Sequence, residues 1–258
     1  MRYVLTVSYD GTNYCGWQVQ PNGITVQEVL NNAVFEAFGE TATVKASGRT
    51  DSGVHARAQL CQVDLKTKIE GGKLADALNA RLPDDISVIA SAQVPDAVDI
   101  QNIIKAKTYR YYMYFSQRKK PLFERYSTWV KGTPNVEKMR EAAEILTGEH
   151  DFKAYCASGS QVKTTVRKVH EINVTSNAAL PDAEIVCVEV CGNGFLYNMV
   201  RTLAGTLLWY SQDRLTKADL LATLNGDRGK VGKTMPAKGL VLYGVDCGLK
   251  ILGGGCED

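Results

Sequence analysis

Asp51 stands in the run Gly48-Arg49-Thr50-Asp51-Ser52-Gly53-Val54-His55-Ala56, a tight, glycine-flanked turn between two segments that alternate like strands. A carboxylate placed there projects from main chain that can pass close to a ligand. With Arg49 two residues before it to favour the ionised form, it has the chemistry of a nucleophile or general base. Thr-Asp-Ser-Gly is equally good β-turn composition, and taken alone these nine residues favour the plainer reading, in which the Asp only bonds its own backbone. Tyr109, in Lys107-Thr108-Tyr109-Arg110-Tyr111, suits a stacking platform or proton relay, and on spacing alone it suits a cross-strand packing role at least as well. Arg201 lies in a helical stretch otherwise striped with apolar groups, where a charge is costly unless it is paired or turned to solvent. His55, one of three histidines, suits either a phosphate contact or a residue that holds its loop, and the second reading is preferred.

The elements that must position these residues follow from periodicity. Tyr3, Leu5, Val7 and Tyr9 alternate as a half-buried strand. Thr25-Val26-Gln27-Glu28 is a capping box opening a helix through Leu30, Val34 and Ala37 to Gly39. Strands are predicted over 43–47, 58–65 and 86–93, with a helix over 72–81 stopped by Pro83. The second half repeats the alternation: strands over 105–115, 166–174, 185–191 and 240–245, and helices over 136–146, 195–210 and from the Thr216 cap to Gly226. Several strands and two helices per half suit an α+β fold with helices on one face of a mostly antiparallel sheet. The turn-rich stretch 95–102 places the division there, giving halves 1–104 and 105–258.

Composition is that of a soluble globular chain of 258 residues, 45% hydrophobic and 22% charged. No apolar run approaches a membrane span, and Met1-Arg2-Tyr3-Val4 leads straight into a strand pattern, so no signal peptide and a cytoplasmic location are expected. Seven cysteines without a CxxC pair read as reduced thiols, and neither structural zinc nor another metal is expected. The net charge of +2 conceals an uneven distribution. Between residues 101 and 131, Lys105, Lys107, Arg110, Arg118, Lys119, Lys120, Arg125 and Lys131 face Glu124 alone, interleaved with Tyr109, Tyr111, Tyr112, Tyr114, Phe115, Phe123, Tyr126 and Trp129. Such a mixture offers charge to phosphates and flat faces to bases, or else forms a solvated strand edge with its aromatics in the core.

The run GRTDSGVHA, together with YDGTNYCGWQ, KTYRYYMY, GFLYNMVRTLAG and PAKGLVLYGVD in that chain order, resembles the tRNA pseudouridine synthase A family from about residue 9 to residue 246. The resemblance implies two ferredoxin-like, RRM-like halves sharing one mostly antiparallel sheet, helices on one face, and an active-site cleft between the halves. It implies conversion of uridine to pseudouridine at positions 38, 39 and 40 of the tRNA anticodon stem-loop, by a homodimer in which each tRNA touches both subunits. No cofactor is implied, and the chain carries neither a Rossmann nor a P-loop glycine signature. By the family pattern Asp51 is the catalytic carboxylate, attacking C1′, adding to C6 or abstracting the 2′ proton. Tyr109 is then the active-site tyrosine and Arg201 the partner of Asp51. Arg49 helps extrude the nucleotide, and Arg110, Lys163 and Arg167 are candidate RNA contacts, the last two from Gln161-Val162-Lys163-Thr164-Thr165-Val166-Arg167. One block departs. Where the family carries Phe-x-Ala-Arg, this chain reads Val98-Asp99-Ile100-Gln101 and continues Ile103-Ile104, which bears on RNA affinity or substrate range and leaves the aspartate untouched. Two rivals to the isomerase are a non-catalytic RNA-binding or tRNA-folding protein and a hydrolase with an aspartate nucleophile. The second lacks an evident partner carboxylate or metal constellation.

Overall fold

The computed structural model describes residues 1–157, 159 and 162–249. They form a mixed α+β fold with a large, mostly antiparallel sheet. The chain divides into two compact units, Met1–Lys107 with the stretch from Val241 on, and Thr108–Leu240.

The first unit opens with β1 (Arg2–Tyr9), whose alternating apolar residues Tyr3, Leu5 and Val7 are buried, as is Val4 on the opposite face. Helix α1 (Val26–Phe38) starts where the Thr25 hydroxyl accepts from the Glu28 N–H and stops at Gly39, whose φ of 66° only a residue without Cβ adopts cheaply. Of the expected Thr25 box only this forward bond is formed among the described residues. The strand expected over 43–47 shrinks to β2 (Lys45–Ala46). The reason is local: Asn31 and Gln27 of α1 take the backbone N–H and C=O of Val44, leaving no groups for a ladder. Next come β3 (His55–Asp64), α2 (Lys73–Asn79) and β4 (Ile86–Val94). β1 lies between β3 and β4, antiparallel to both. Residues 95–102, read as turn-rich, run into a short helix, α3 (Ile100–Ile103), capped by the Asp99 carboxylate. Ile100 is buried, its N–H donating to the Gln62 side chain, and Arg2 Nη1 donates to the carbonyls of Asp96 and Val98. The departing block is thus a capped turn with its own core residue.

The second unit takes in most of β5 (Ala106–Ser116), with β6 (Thr128–Lys131) parallel to it. α4 (Val136–Leu146), β7 (Gly148–Asp151), β8 (Val166–Leu180) and β9 (Ala183–Gly192) follow, in strand order β5-β9-β8-β7. β9 buries Val186, Val188 and Val190 and leaves Cys187, Glu189 and Cys191 half-buried, the alternation of a sheet with one covered face. α5 (Met199–Ser211) is buried on nearly all sides and packs on α4; the helix expected over 195–210 therefore starts four residues late. Asn198 causes the delay, because its φ of 63° is left-handed and cannot belong to a right-handed helix. α6 (Lys217–Leu224) carries a complete Thr216–Asp219 capping box. The last strand, β10 (Leu240–Asp246), returns to the first unit and pairs in parallel with β3 through Val241 and His55. Among the described residues no helix is long and apolar enough to cross a membrane.

Candidate active site

Residues 47–54 join β2 to β3 and are laid against residues 9–17. The Trp17 N–H donates to the Thr50 carbonyl at 3.1 Å, the Ser52 hydroxyl to the Tyr14 carbonyl at 3.2 Å, and the Val54 N–H to the Asp51 carbonyl at 3.1 Å. The hydroxyls of Tyr9 and Thr50 meet at 2.7 Å inside the protein. Two glycines permit this contact. A Cβ on Gly11 would lie 2.0 Å from the Val54 carbonyl oxygen, and one on Gly16, at φ +84°, 2.7 Å from that of Thr50. His55 is buried, its Nδ1 3.1 Å from the Gly11 nitrogen and 3.0 Å from an Asp10 carboxylate oxygen, so it fastens the turn to residues 10 and 11, the holding role its sequence position suggested. Asp51 is half-buried between buried Thr50 and exposed Ser52. Its position is set by main-chain and hydroxyl bonds on both sides, which is preorganisation of a carboxylate by its backbone. Arg49 is exposed and makes no hydrogen bond or ion pair among the described residues, so it does not supply the local cation that the turn's composition suggested for Asp51.

In the second unit, Tyr109 and Arg110 are consecutive on β5 and therefore point to opposite faces. Tyr109 shares its face with buried Tyr111 and meets Phe195 edge-on, ring centroids 5.3 Å apart and planes at 87°. The Arg110 guanidinium is engaged by the Glu189 carboxylate on the other face. These two candidates are thus not brought together on one surface of the strand.

Arg201, two residues into α5, has its guanidinium aimed from both ends. Nε donates to the Met235 carbonyl at 2.7 Å and Nη1 to the Asn198 carboxamide oxygen at 2.6 Å. Met235 reaches it because residues 231–236 cross α5 at Gly205, where a Cβ would lie 1.9 Å from the Lys233 carbonyl oxygen, while one on Gly232 would lie 2.3 Å from the Gly205 carbonyl oxygen. The Tyr111 hydroxyl bonds Thr128 and the Pro236 carbonyl; burial pushes its pKa well up, with the Thr128 hydroxyl and the nearby Arg201 charge pulling it down. Lys163 is exposed. Arg167 is half-buried and turns back on its own loop, Nη1 donating to the carbonyls of Thr164 and Val166. Gln161 lies outside the described residues.

Neither Asn198 nor Phe195 stands out as a site residue on spacing, since the expected helix runs through both and places Phe195 on its apolar stripe. The available signal was Asn198 itself, a residue type that tolerates left-handed backbone and so marks a helix start rather than a helix interior.

A family model described as tRNA pseudouridine synthase matches residues 5–101 and 142–246. The tRNA pseudouridine synthase A of Ruminiclostridium cellulolyticum is 42% identical over 239 residues, covering 92% of this chain and 96% of that protein. The protein of the same description from Pelobacter propionicus is 40% identical over 243 residues, covering 93% and 97%. Among solved structures, a chain of a Cbf5-Nop10-Gar1 complex is a distant likeness, at 13% identity and a TM-score of 0.36 over 80% of this chain and 44% of that one.

Proposed function

Since this chain belongs to the tRNA pseudouridine synthase family, we propose that it isomerises uridine to pseudouridine in the tRNA anticodon stem-loop, with Asp51 as the catalytic carboxylate. The observation that carries the assignment is the fastening of the Asp51 turn on both sides by residues 9–17. A turn that merely reverses the chain needs no such support. In the reaction the bond from C1′ to N1 breaks, the base turns over, and a bond from C1′ to C5 forms. The proton lost from C5 is balanced by one gained at N1, so no electrons are exchanged. The uridine must first leave its stack, because a carboxylate cannot reach C1′ inside a helix.

Tyr109 is assigned as the stacking platform for the extruded base and as a proton relay, a role that its edge contact with Phe195 supports by fixing the ring. Arg201 is assigned as the cation facing Asp51, supported by a guanidinium already oriented by two acceptors. Exposed Arg49 and Lys163 are assigned to the RNA, Arg49 entering the space that the uridine leaves. Arg110 and Arg167 are assigned to phosphates as well, each from a side chain already partly engaged within the chain. The acting species is proposed to be a cytoplasmic homodimer, and positions 38, 39 and 40 are proposed as the targets.

The test uses unmodified tRNA transcript tritiated at uridine C5. Rejoining at C5 releases the label to water. The wild type is expected to release tritium in step with pseudouridine mapped at those positions, and Asp51→Ala to release none. A wild type that binds the transcript normally and releases no tritium would refute the isomerase reading.

A further inference from the structure

We propose that Lys107 is a positioning residue for the Asp51 turn, its ammonium seated beneath the Ser47–Gly48 peptide and fixing where the chain enters the turn. The inference rests on the reading of Asp51 as the catalytic carboxylate. Lys107 is the second residue of β5, and its Nζ donates to the Ser47 carbonyl at 2.9 Å. The next carbonyl, that of Gly48, accepts from Gln59 Nε2 at 2.8 Å, and the fully buried Gln59 also accepts from the Ser47 hydroxyl at 2.9 Å. Two consecutive carbonyls just ahead of Arg49, Thr50 and Asp51 are therefore each held by a long side chain from another strand.

Gly48 makes the seat possible. It is not among the glycines with positive φ, so its backbone does not require glycine; its space does, since a Cβ there would lie 2.3 Å from Lys107 Nζ. Burial pushes the Lys107 pKa down, and no carboxylate among the described residues pairs with it. A half-buried cation held by one carbonyl is a poor way to stabilise a fold, because an apolar side chain of the same length avoids the desolvation cost. Its placement is explained by what it holds.

Lys107→Met, Gly48→Ala and the double variant separate this role from a structural one. Lys107→Met is expected to keep or raise the melting temperature while kcat for tritium release falls by about tenfold to a hundredfold, the scale set by displacing a reacting group by roughly 1 Å. KM for tRNA should hold within about twofold, because uniform binding is not what is lost. Gly48→Ala should lower kcat similarly by pushing the ammonium off Ser47, and the double variant should be no slower than the slower single one. A structural lysine would instead lower the melting temperature and leave kcat alone, and an RNA-contacting one would raise KM. Either result, or additive losses in the double variant, overturns the proposal. If Lys107→Met does not fold, Gly48→Ala decides, since a folded Gly48→Ala with unchanged kcat also overturns it. An inactive wild type would fail the reading of Asp51 itself; an active wild type, an inactive Asp51→Asn and a fully active Lys107→Met would fail this inference alone.

Discussion

The Asp51 turn and the start of α5 each hold one charged candidate residue, and they hold it at different places. Around Asp51 the main chain is fastened: Thr50, Asp51 and Val54 are tied to residues 11–17 or to each other, with Gly11 and Gly16 allowing backbone to lie on backbone. Around Arg201 the fastened atoms are at the far end of the side chain, where Met235 and Asn198 receive the guanidinium. Side-chain length accounts for the contrast. An Asp carboxylate follows its backbone within two short torsions, so fixing the turn fixes the acid, whereas an Arg has a long, rotamer-rich stem whose freedom must be removed at the tip.

The sharpest way to break this comparison is to remove the acid and keep the turn. Asp51→Asn changes neither length nor shape, and it is expected to cost on the order of a thousandfold or more in tritium release while the melting curve stays in place. A residual rate within tenfold of wild type would show that the fastened turn is not the seat of the chemistry. Next in size are the glycines. Gly11→Ala and Gly205→Ala drive a Cβ to 2.0 Å and 1.9 Å from backbone oxygens that cannot swing away, and each is expected to destabilise by about 1–3 kcal/mol in urea unfolding. Gly11→Ala moves backbone under the acid and should also lower kcat; if it lowered only stability, Asp51 would not be placed by its main chain.

Asn198 sharpens the other side. Asn198→Ala keeps a Cβ at φ 63° and is expected to cost about 1–2 kcal/mol in stability, while Asn198→Gly accepts that φ freely and should melt near wild type. Both variants delete the acceptor for Arg201 Nη1, so both are expected to lose about tenfold in kcat, the scale of one hydrogen bond to a charged group. Full activity in the glycine variant would mean that Met235 alone suffices to aim the guanidinium.

The same contrast explains what the sequence disclosed. Elements set by local rules were legible: the Thr216 box, the Gly39 stop and the helix over 136–146 stand where periodicity and capping place them. Asp51 was legible as a glycine-bracketed acid, though only the other motifs raised it above an ordinary turn. What stayed hidden depends on contacts distant in sequence. Val44 loses its ladder to Asn31 and Gln27, Lys107 reaches Ser47 across sixty positions, and Arg201 finds Met235 only because two glycines let a later segment cross α5. Periodicity reports which face of an element is apolar, and it carries no record of which carbonyl a long side chain will meet.

The smallest expected effect tests whether activity merely follows stability. Thr216 caps α6 in a reciprocal box with Asp219, and Lys230 closes on the same carboxylate at 2.8 Å. The Lys230 hydrogen bond, followed by those of Thr216, holds the Asp219 carboxyl well below the usual carboxylate range. A depressed carboxyl contributes stability above its unfolded pKa and loses it only as pH falls through the folded value, so the cap is fully engaged at neutral pH. Thr216→Ala is therefore expected to cost about 1 kcal/mol, or roughly 2–4 °C in melting temperature, with kcat unchanged. If kcat instead fell in proportion, the losses at Gly11 and Gly205 would reflect a softened fold, and the distinction between an acid held by its backbone and a base held by its tip would lose its kinetic support.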